Sequence, residues 1–196
     1  MRVGIFGGTF NPVHNAHLRL AECARTELGL DRVYFLATSV VPHKDNSQII
    51  DISHREKMVF LAIEDNHFFV FSDIESRANK TAYTYETILE FKQLTDGAEL
   101  FYITGGDTLH LFHKYRNYKT IIENAKLVIA PRRDAPPGEA VASDVLAASV
   151  FLKSFEHMEI SSTKIRETLR RGGSTRYLVP EKVFEYINAN NLYPAE

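Results

Sequence analysis

The chain has 196 residues, of which 44% are apolar and 24% charged, with a formal net charge of −2 and one cysteine. This composition is typical of a soluble globular protein, and the small negative charge without a polybasic block disfavours a nucleic-acid partner. Cys23 alone cannot form an intramolecular disulfide. No apolar run is long enough to span a membrane. A predicted core strand begins just after Met1, so we expect no signal peptide there. We therefore expect a cytoplasmic protein with no membrane contacts.

Short apolar runs alternate with segments of helical periodicity along the chain. Strands are predicted at 3–6, 33–36, 68–71, 100–104, 127–130 and 150–152, and helices at 17–28, 54–64, 84–94, 163–171 and 183–190. This alternation predicts an α/β fold, a Rossmann-like doubly wound parallel sheet with helices on both faces. Ligands of such sheets bind beyond the carboxyl ends of the strands.

No change in composition indicates a second domain, so we predict a single domain over residues 1–196. Residues 131–149 are rich in proline, alanine and serine and are expected to form a flexible loop. The sequence leaves open whether this loop closes over a substrate, and it is compatible with a homo-oligomer.

The most informative segment is 4–17, which follows the order strand, glycine turn and helix start. A short apolar run ends at Gly7 and Gly8, and a turn containing proline leads to His14 and His17. Free backbone N–H groups and the positive end of the helix dipole make such a turn an anion site. Two imidazoles at i and i+3 share one face, so both can reach one phosphate. The pattern indicates attack on a phosphate, in which the protein positions the reactants and aims donors at the developing charge; a structural pair of histidines is the alternative.

A second segment with phosphate chemistry lies at 160–166. The hydroxyls of Ser161, Ser162 and Thr163 can cap free N–H groups at a helix start or bind an anion there. Arg166 projects from the first turn and can bond two phosphate oxygens at once. Taken alone, the segment is also compatible with an ordinary capped surface helix.

Polar residues follow three further predicted strands. Lys44 follows the second strand, Asp107 follows the Gly105-Gly106 turn after the fourth, and Arg132 and Arg133 follow the fifth. Their places at the carboxyl ends of strands predict that they lie near the same crevice. A solvated lysine and a simple turn are the alternatives.

These motifs resemble those of the nucleotidyltransferases. Residues 7–17 are similar to the signature GGTFDPxHxGH, with Asn11 in place of the usual Asp and Ala16 in place of the usual Gly, and 160–166 is similar to the ISSTxIR element of the same family. The resemblance implies that His14 and His17 stabilise the α-phosphate of ATP during its transfer. It also implies that Arg166 holds the departing phosphates.

Further roles follow from the same resemblance. Segment 41–44 is similar to the family's PPHK, 105–107 to its GxD step and 82–84 to its SYT step. The resemblance implies that three basic residues contact phosphates: Lys44, Arg132 and Arg133. It implies that ATP is bound by Gly7, Gly8, Thr9, Phe10, Gly105, Asp107, Ser161, Ser162 and Thr163. It implies that the ring of the acceptor is contacted by Tyr83, Thr84 and Tyr115.

Among the nucleotidyltransferases, the bacterial nicotinate mononucleotide adenylyltransferases are the most similar, over nearly the whole chain. The implied reaction joins ATP and nicotinate mononucleotide into deamido-NAD and pyrophosphate in NAD biosynthesis, with Mg²⁺ on the triphosphate and few or no protein ligands to the metal. That family often carries a Trp-Tyr pair after the GxD helix, whereas this chain has no tryptophan and Tyr115-Arg116 fills the position.

Two alternatives to this function are therefore kept. One is an adenylyltransferase that uses nicotinamide mononucleotide or another phosphate-bearing acceptor. The other is a nucleotide-binding regulator without turnover, which the presence of both histidines and Arg166 disfavours.

Overall fold

The sheet is parallel throughout, as predicted. The computed structural model describes residues 1–38, 48–77, 83–130 and 141–195. Within them lie six strands in the spatial order β3-β2-β1-β4-β5-β6, each pair parallel. The strands are β1 (Arg2–Gly8), β2 (Arg32–Ala37), β3 (Phe69–Phe71), β4 (Glu99–Gly105), β5 (Ala125–Ala130) and β6 (Ser149–Phe151).

The helices agree with the predicted ones in order but not in number. Those described are α1 (Asn15–Leu28), α2 (Ile52–Ile63), α3 (Thr84–Leu94), α4 (Tyr118–Asn124), α5 (Ser143–Ala147), α6 (Ser162–Arg170) and α7 (Glu181–Ala189), with a 3₁₀ helix at Gly106–Lys114. No helix was predicted from the sequence where α4, α5 and the 3₁₀ helix lie. The loop expected over 131–149 is wrong for 143–149, which holds α5 and the start of β6. An element as short as α5 carries too little periodicity to be recognised, and residues 131–140 lie outside the described part of the chain.

Local signals account for where the helices begin and end. The Asp51 side chain accepts a bond of 2.8 Å from the backbone N–H of Ser53 and caps α2. Gly29 ends α1 in the left-handed conformation, with φ of 60°. The Ser161 side chain caps α6. Polar side chains therefore set the starts of α2 and α6, and a glycine sets the end of α1.

Alternate residues of the strands pack on opposite faces of the sheet. On β1, Val3 and Ile5 join a cluster with residues of α3, α4 and α5, whereas Phe6 joins a second cluster with residues of α1, α2, α6 and α7. Helices therefore cover both faces, as the doubly wound prediction requires.

The strand order explains where the site lies. The chain winds outward from β1 through β2 to β3, and then returns to β4 on the other side of β1. This reversal between β1 and β4 is the position where doubly wound sheets bind ligands, beyond the carboxyl ends of the strands. Gly8 and Gly105 end these two strands, so the two predicted glycine turns do lie at one edge of the sheet. No helix in the described residues is long and apolar enough to cross a membrane.

Candidate active site

The turn after β1 is shaped by one buried aromatic ring. Phe10 is buried with φ of 45°. A Cβ atom added to Gly8 would lie 2.9 Å from Cζ of Phe10, so only glycine allows the ring to pack against the end of β1. The ring also meets the edge of the His17 imidazole, with centroids 5.0 Å apart. The Phe10 ring of this turn therefore packs against the His17 ring and supports it at the start of α1.

The two histidines form a stacked pair at the start of α1. His14 is the N-cap, and its backbone N–H donates to Nδ1 of His17 at 3.2 Å. Because Nδ1 accepts this bond, the proton of a neutral His17 lies on Nε2, which becomes the donor toward a ligand. The rings lie 3.6 Å apart and 18° from parallel. Both imidazoles can therefore serve one group, as the spacing predicted.

Burial keeps both rings neutral. His14 is 5% exposed, and its desolvation lowers its pKa from 6.5 to about 4. Burial also lowers the pKa of His17 well below 6.5, and the charge that His14 would carry lowers it further. Nδ1 of His14 has no hydrogen-bond partner among the described residues. Near pH 7 the pair therefore offers neutral N–H donors rather than two cations.

The start of α6 is bonded directly to this turn. The Ser162 hydroxyl donates to the carbonyl of Pro12 at 2.8 Å, and the Ser161 hydroxyl accepts from the N–H of Lys164 at 3.3 Å. The hydroxyl proton of Ser162 is thus used inside the protein, where it supports the turn. The bond from Ser162 holds the start of α6 beside the turn that leads into α1, so two helix N-termini lie near each other at the site.

Arg166 lies on the inner side of α6. Its Nη1 donates to the backbone carbonyl of Asn11 at 2.8 Å, and Nη2 lies 3.5 Å from Oγ1 of Thr163. Its Nε is buried and has no hydrogen-bond partner among the described residues. A guanidinium held in this way keeps donors for an anion beside the histidines. We call the assembly of the turn, the histidine pair and the start of α6 the phosphate end.

A second group of predicted residues lies at the start of α3 and after the 3₁₀ helix. The Tyr115 ring stacks on Phe112, with centroids 4.8 Å apart and 17° between the planes. The guanidinium of Arg116 lies 4.5 Å from the centroid of the Tyr83 ring, and Tyr83 precedes Thr84 at the start of α3. The structure therefore joins the two segments that the sequence assigned to the acceptor. We call this group the acceptor end.

Polar groups are buried beneath the acceptor end. The Tyr102 hydroxyl bonds with the Thr84 side chain, and burial raises the pKa of Tyr102. A Cβ atom on Gly7 would lie 3.7 Å from the same hydroxyl. Glu75 accepts a bond of 2.9 Å from Thr87, while its Oε2 has no partner among the described residues. Burial raises the pKa of Glu75, which favours a neutral carboxyl there.

The Gly105-Gly106 step differs from a simple turn. Gly105 ends β4, and Gly106 opens a 3₁₀ helix whose backbone includes Asp107. Thr108 Oγ1 donates to the carbonyl of Gly105 at 2.8 Å and holds this change of direction. The step thus stands beside the β1 turn at the switch point of the sheet.

Comparison with known proteins identifies the family. Residues 5–168 match the family described as Cytidylyltransferase-like. A protein of Geobacter sulfurreducens named probable nicotinate-nucleotide adenylyltransferase is 38% identical, with 98% of each chain covered. One of Clostridium tetani with the same name is 35% identical, with 96% of this chain and 97% of its own covered. The chain belongs to the nicotinate-nucleotide adenylyltransferase family.

Solved structures show the same fold. The Plasmodium falciparum nicotinic acid mononucleotide adenylyltransferase complexed with NaAD superposes with a TM-score of 0.79 at 16% identity, covering 98% of this chain and 97% of its own. A putative nicotinate-nucleotide adenylyltransferase from Vibrio parahaemolyticus gives 0.71 at 20% identity, covering 98% and 94%. The predicted fold and family are both confirmed.

Most of the predicted residues lie at this candidate site. The structure brings His14, His17, Arg166 and the hydroxyls of α6 together at the phosphate end, and Tyr83, Thr84 and Tyr115 together at the acceptor end. Lys44, Arg132 and Arg133 lie outside the described residues, as does the side chain of Asp107. The roles expected for these four stay predictions.

Sequence reasoning missed Arg55, which is 1% exposed. Its guanidinium donates to three backbone carbonyls: to Thr9 at 2.8 Å, to Thr38 at 2.7 Å and to Ile50 at 3.1 Å. It thus holds the turn after β1, the end of β2 and the approach to α2 at fixed separations. A signal was available, because Arg55 lies three residues before the buried Met58 and so shares the apolar face of α2.

Asn11 makes hydrogen bonds that its place in the motif did not predict. It is 3% exposed, its Nδ2 donates to the Gln48 carbonyl at 2.9 Å, and its Oδ1 accepts from Tyr193 at 2.8 Å and from the Ile50 N–H at 3.4 Å. The sequence indicated only that an amide replaces the usual carboxylate. Its partners come from distant segments, so no local pattern could have revealed them.

Proposed function

We propose that this chain transfers the adenylyl group of ATP to nicotinate mononucleotide, with His14, His17 and Arg166 as its catalytic residues. An oxygen of the acceptor phosphate attacks the α-phosphorus, the bond from that phosphorus to the bridging oxygen breaks, and pyrophosphate leaves. The products are deamido-NAD and pyrophosphate. The observation that carries the proposal is the neutral, stacked histidine pair beside Arg166 at the start of two helices.

The histidines fit the transferring phosphate. In such reactions the protein contributes positioning and donors aimed at developing charge, and little covalent chemistry. The Nε2–H of His17 follows from its bond with His14, and the ring is fixed by Phe10 behind it. Donors that are fixed before the reaction stabilise the transition state without reorganising during it.

Arg166 fits the leaving group. Its bond to the Asn11 carbonyl holds the guanidinium next to the turn that seats the phosphates, and a permanent cation stabilises charge that accumulates on pyrophosphate. Ser161 and Thr163 flank it at the start of α6. The predicted lysine contact from Lys44 would add a second cation at the same end.

Mg²⁺ fits this arrangement as an ion bound to the phosphates of ATP. Among the described residues no group of three or more His, Cys, Asp or Glu side chains could hold a metal ion, and Mg²⁺ commonly keeps several waters while bound to substrate phosphates. Bound on the triphosphate, the ion would neutralise part of the charge of the departing group. The residues of the chain then act on the phosphate oxygens directly.

The acceptor end supports a pyridine nucleotide. Tyr115, stacked on Phe112, presents a ring surface, and Arg116 places a cation near the start of α3. A ring and a nearby positive charge suit the nicotinate ring and its carboxylate. The absence of tryptophan from the chain keeps nicotinamide mononucleotide as the second candidate acceptor.

We also propose that residues 1–196 form one nucleotidyltransferase domain. The support is that Tyr193 and residues of α7 belong to the same apolar cluster as Phe6 and residues of α1. A cytoplasmic location is the expectation from the sequence.

Pyrophosphate release tests the reaction. ATP and Mg²⁺ are supplied with nicotinate mononucleotide, nicotinamide mononucleotide or phosphopantetheine in separate assays. We expect strong preference for the nicotinate acceptor. Equal use of nicotinamide mononucleotide would support adenylyl transfer but contradict the preference for the nicotinate acceptor. No pyrophosphate release with any of the three acceptors would overturn the proposal.

A further inference from the structure

The hydroxyl of Tyr193 is bonded inside the active site although the residue lies near the end of the chain. Tyr193 is 5% exposed, and its hydroxyl donates to Oδ1 of Asn11 at 2.8 Å in a buried bond. The orientation of the Asn11 amide is fixed on its other side, since Nδ2 donates to the Gln48 carbonyl at 2.9 Å. Tyr193 is therefore the donor and the amide oxygen the acceptor.

The same asparagine holds Arg166. The backbone carbonyl of Asn11 accepts from Nη1 of Arg166 at 2.8 Å. Displacement of the Asn11 backbone would move this carbonyl and with it the guanidinium. The hydroxyl of Tyr193 thus limits the movement of a residue that determines where Arg166 lies.

The electrostatic surroundings keep the tyrosine a donor. Burial raises the pKa of Tyr193 and outweighs the opposing influence of the Arg166 and Arg55 guanidiniums. The hydroxyl stays protonated at neutral pH and adds no negative charge beside the two cations. Arg166 is consequently not neutralised by a phenolate, and its charge remains available to phosphate.

We propose that Tyr193 is a positioning residue for adenylyl transfer, which acts through Asn11 to hold Arg166 in place for the departing pyrophosphate. The inference rests on the proposed function, because it assigns Tyr193 to the phosphate end of that reaction. It adds a residue from outside the two recognised motifs to the site.

The test compares two tyrosines that each lose only a hydroxyl. Tyr193→Phe keeps the ring and removes the bond to Asn11. Tyr186→Phe is the matched control, because Tyr186 lies on α7 and its hydroxyl is bonded to Nδ1 of His54 at 2.9 Å, outside the site. We expect Tyr193→Phe to lower kcat about 10-fold and to raise the KM for pyrophosphate in the reverse reaction, with the KM for the acceptor unchanged. Tyr186→Phe should leave all three values as in the wild type.

A double-mutant cycle separates positioning from structure. If Tyr193 acts through Arg166, then Tyr193→Phe has no further effect on kcat once Arg166 is replaced by alanine. Asn11→Ala approaches the same step from the other partner, and its effect on kcat should be smaller in that background than in the wild type. Equal effects of Tyr193→Phe with and without Arg166 would overturn the inference.

The remaining outcomes are also decisive. Urea unfolding of each variant measures its folded fraction, and loss of the fold in both Tyr193→Phe and Asn11→Ala would assign the bond to folding and count against positioning. If Arg166→Ala keeps full activity, the role proposed for Arg166 fails together with this inference. If Arg166→Ala is impaired and Tyr193→Phe is not, this inference alone fails.

Discussion

The phosphate end and the acceptor end of this site are built from different interactions. At the phosphate end, side chains from distant segments bond to backbone carbonyls: Arg55 to those of Thr9 and Thr38, Arg166 to that of Asn11, and Ser162 to that of Pro12. At the acceptor end, the Tyr115 ring stacks on Phe112, and the exposed guanidinium of Arg116 lies over the Tyr83 ring.

Under the proposed function, this difference separates the residues that act on the phosphates from those that select the acceptor. Buried, directional bonds fix the donors that must meet the transition state to within a fraction of an ångström. Stacking and exposed charge tolerate substitution better than buried, directional bonds do, so the proposed acceptor contacts can be altered without loss of the fold. Large losses of kcat are therefore expected at the phosphate end and smaller, substrate-dependent changes at the acceptor end.

The largest expected effect comes from removal of an imidazole. His17→Ala should lower kcat by about 10²–10³-fold, because a preorganised donor to the transferring phosphate is lost. Steady-state pyrophosphate release measures the change. His67→Ala removes an exposed histidine whose ring is tilted by 39° against that of Phe68, away from the site, and should leave kcat unaltered. Near-normal turnover of His17→Ala would remove the role assigned to this histidine.

A moderate effect is expected at the acceptor ring. Tyr115→Ala should lower kcat/KM for nicotinate mononucleotide by about 2–10-fold, the range expected when one aromatic contact is lost. The KM for ATP should change little, and separate titrations of the two substrates measure both values. An equal loss for ATP would contradict the division of the site into two ends.

Arg116 should change selectivity rather than rate. Arg116→Gln removes a cation from the surface beside Tyr83, and we expect the preference for the nicotinate over the nicotinamide substrate to fall about 3-fold. Because exposed charges are screened, the difference between wild type and variant should shrink as salt is added. A preference that is independent of both the substitution and the salt would place recognition of the carboxylate elsewhere.

The smallest effect concerns stability under the acceptor end. Burial raises the pKa of Glu75 above 4.5, so the native state retains a proton that the unfolded state releases. The stability contributed by this carboxyl is complete below pH 4.5 and is lost as the pH rises through the raised native pKa. Glu75→Gln does not titrate, and its stability relative to the wild type should therefore increase in urea unfolding as the pH rises from 4.5 through the raised native pKa.

Glu22 supplies a control of opposite sign. A hydrogen bond from Arg25 lowers the pKa of Glu22, so its contribution is present above 4.5 and is lost as the pH falls through the lowered native pKa. Glu22→Gln should be less stable than the wild type at neutral pH, and this deficit should narrow in acid. Parallel pH profiles for the two variants would contradict the assigned direction of the Glu75 shift.

The fold class, the family and the two motifs of the candidate site could all be predicted from the amino-acid sequence. Strand and helix periodicities are local, so the βα alternation could be predicted residue by residue. The glycine turn and the two histidines also occupy one short segment, and their geometry follows from the helix start that contains them. The 3₁₀ helix, α4 and α5 were not predicted, because short elements contain few periodic positions.

How these segments meet follows from the packing of the folded chain and could not be predicted from local sequence. Tyr193 and Asn11 are separated by 182 residues, and Arg55 bonds to carbonyls from three separate segments. Nothing in the sequence near Tyr193 indicates that its hydroxyl lies in the site, because a buried hydrogen bond needs only that two groups be brought together by packing. The low pKa of His14 is likewise a property of the folded chain, since it results from burial by residues that only the fold places around the ring.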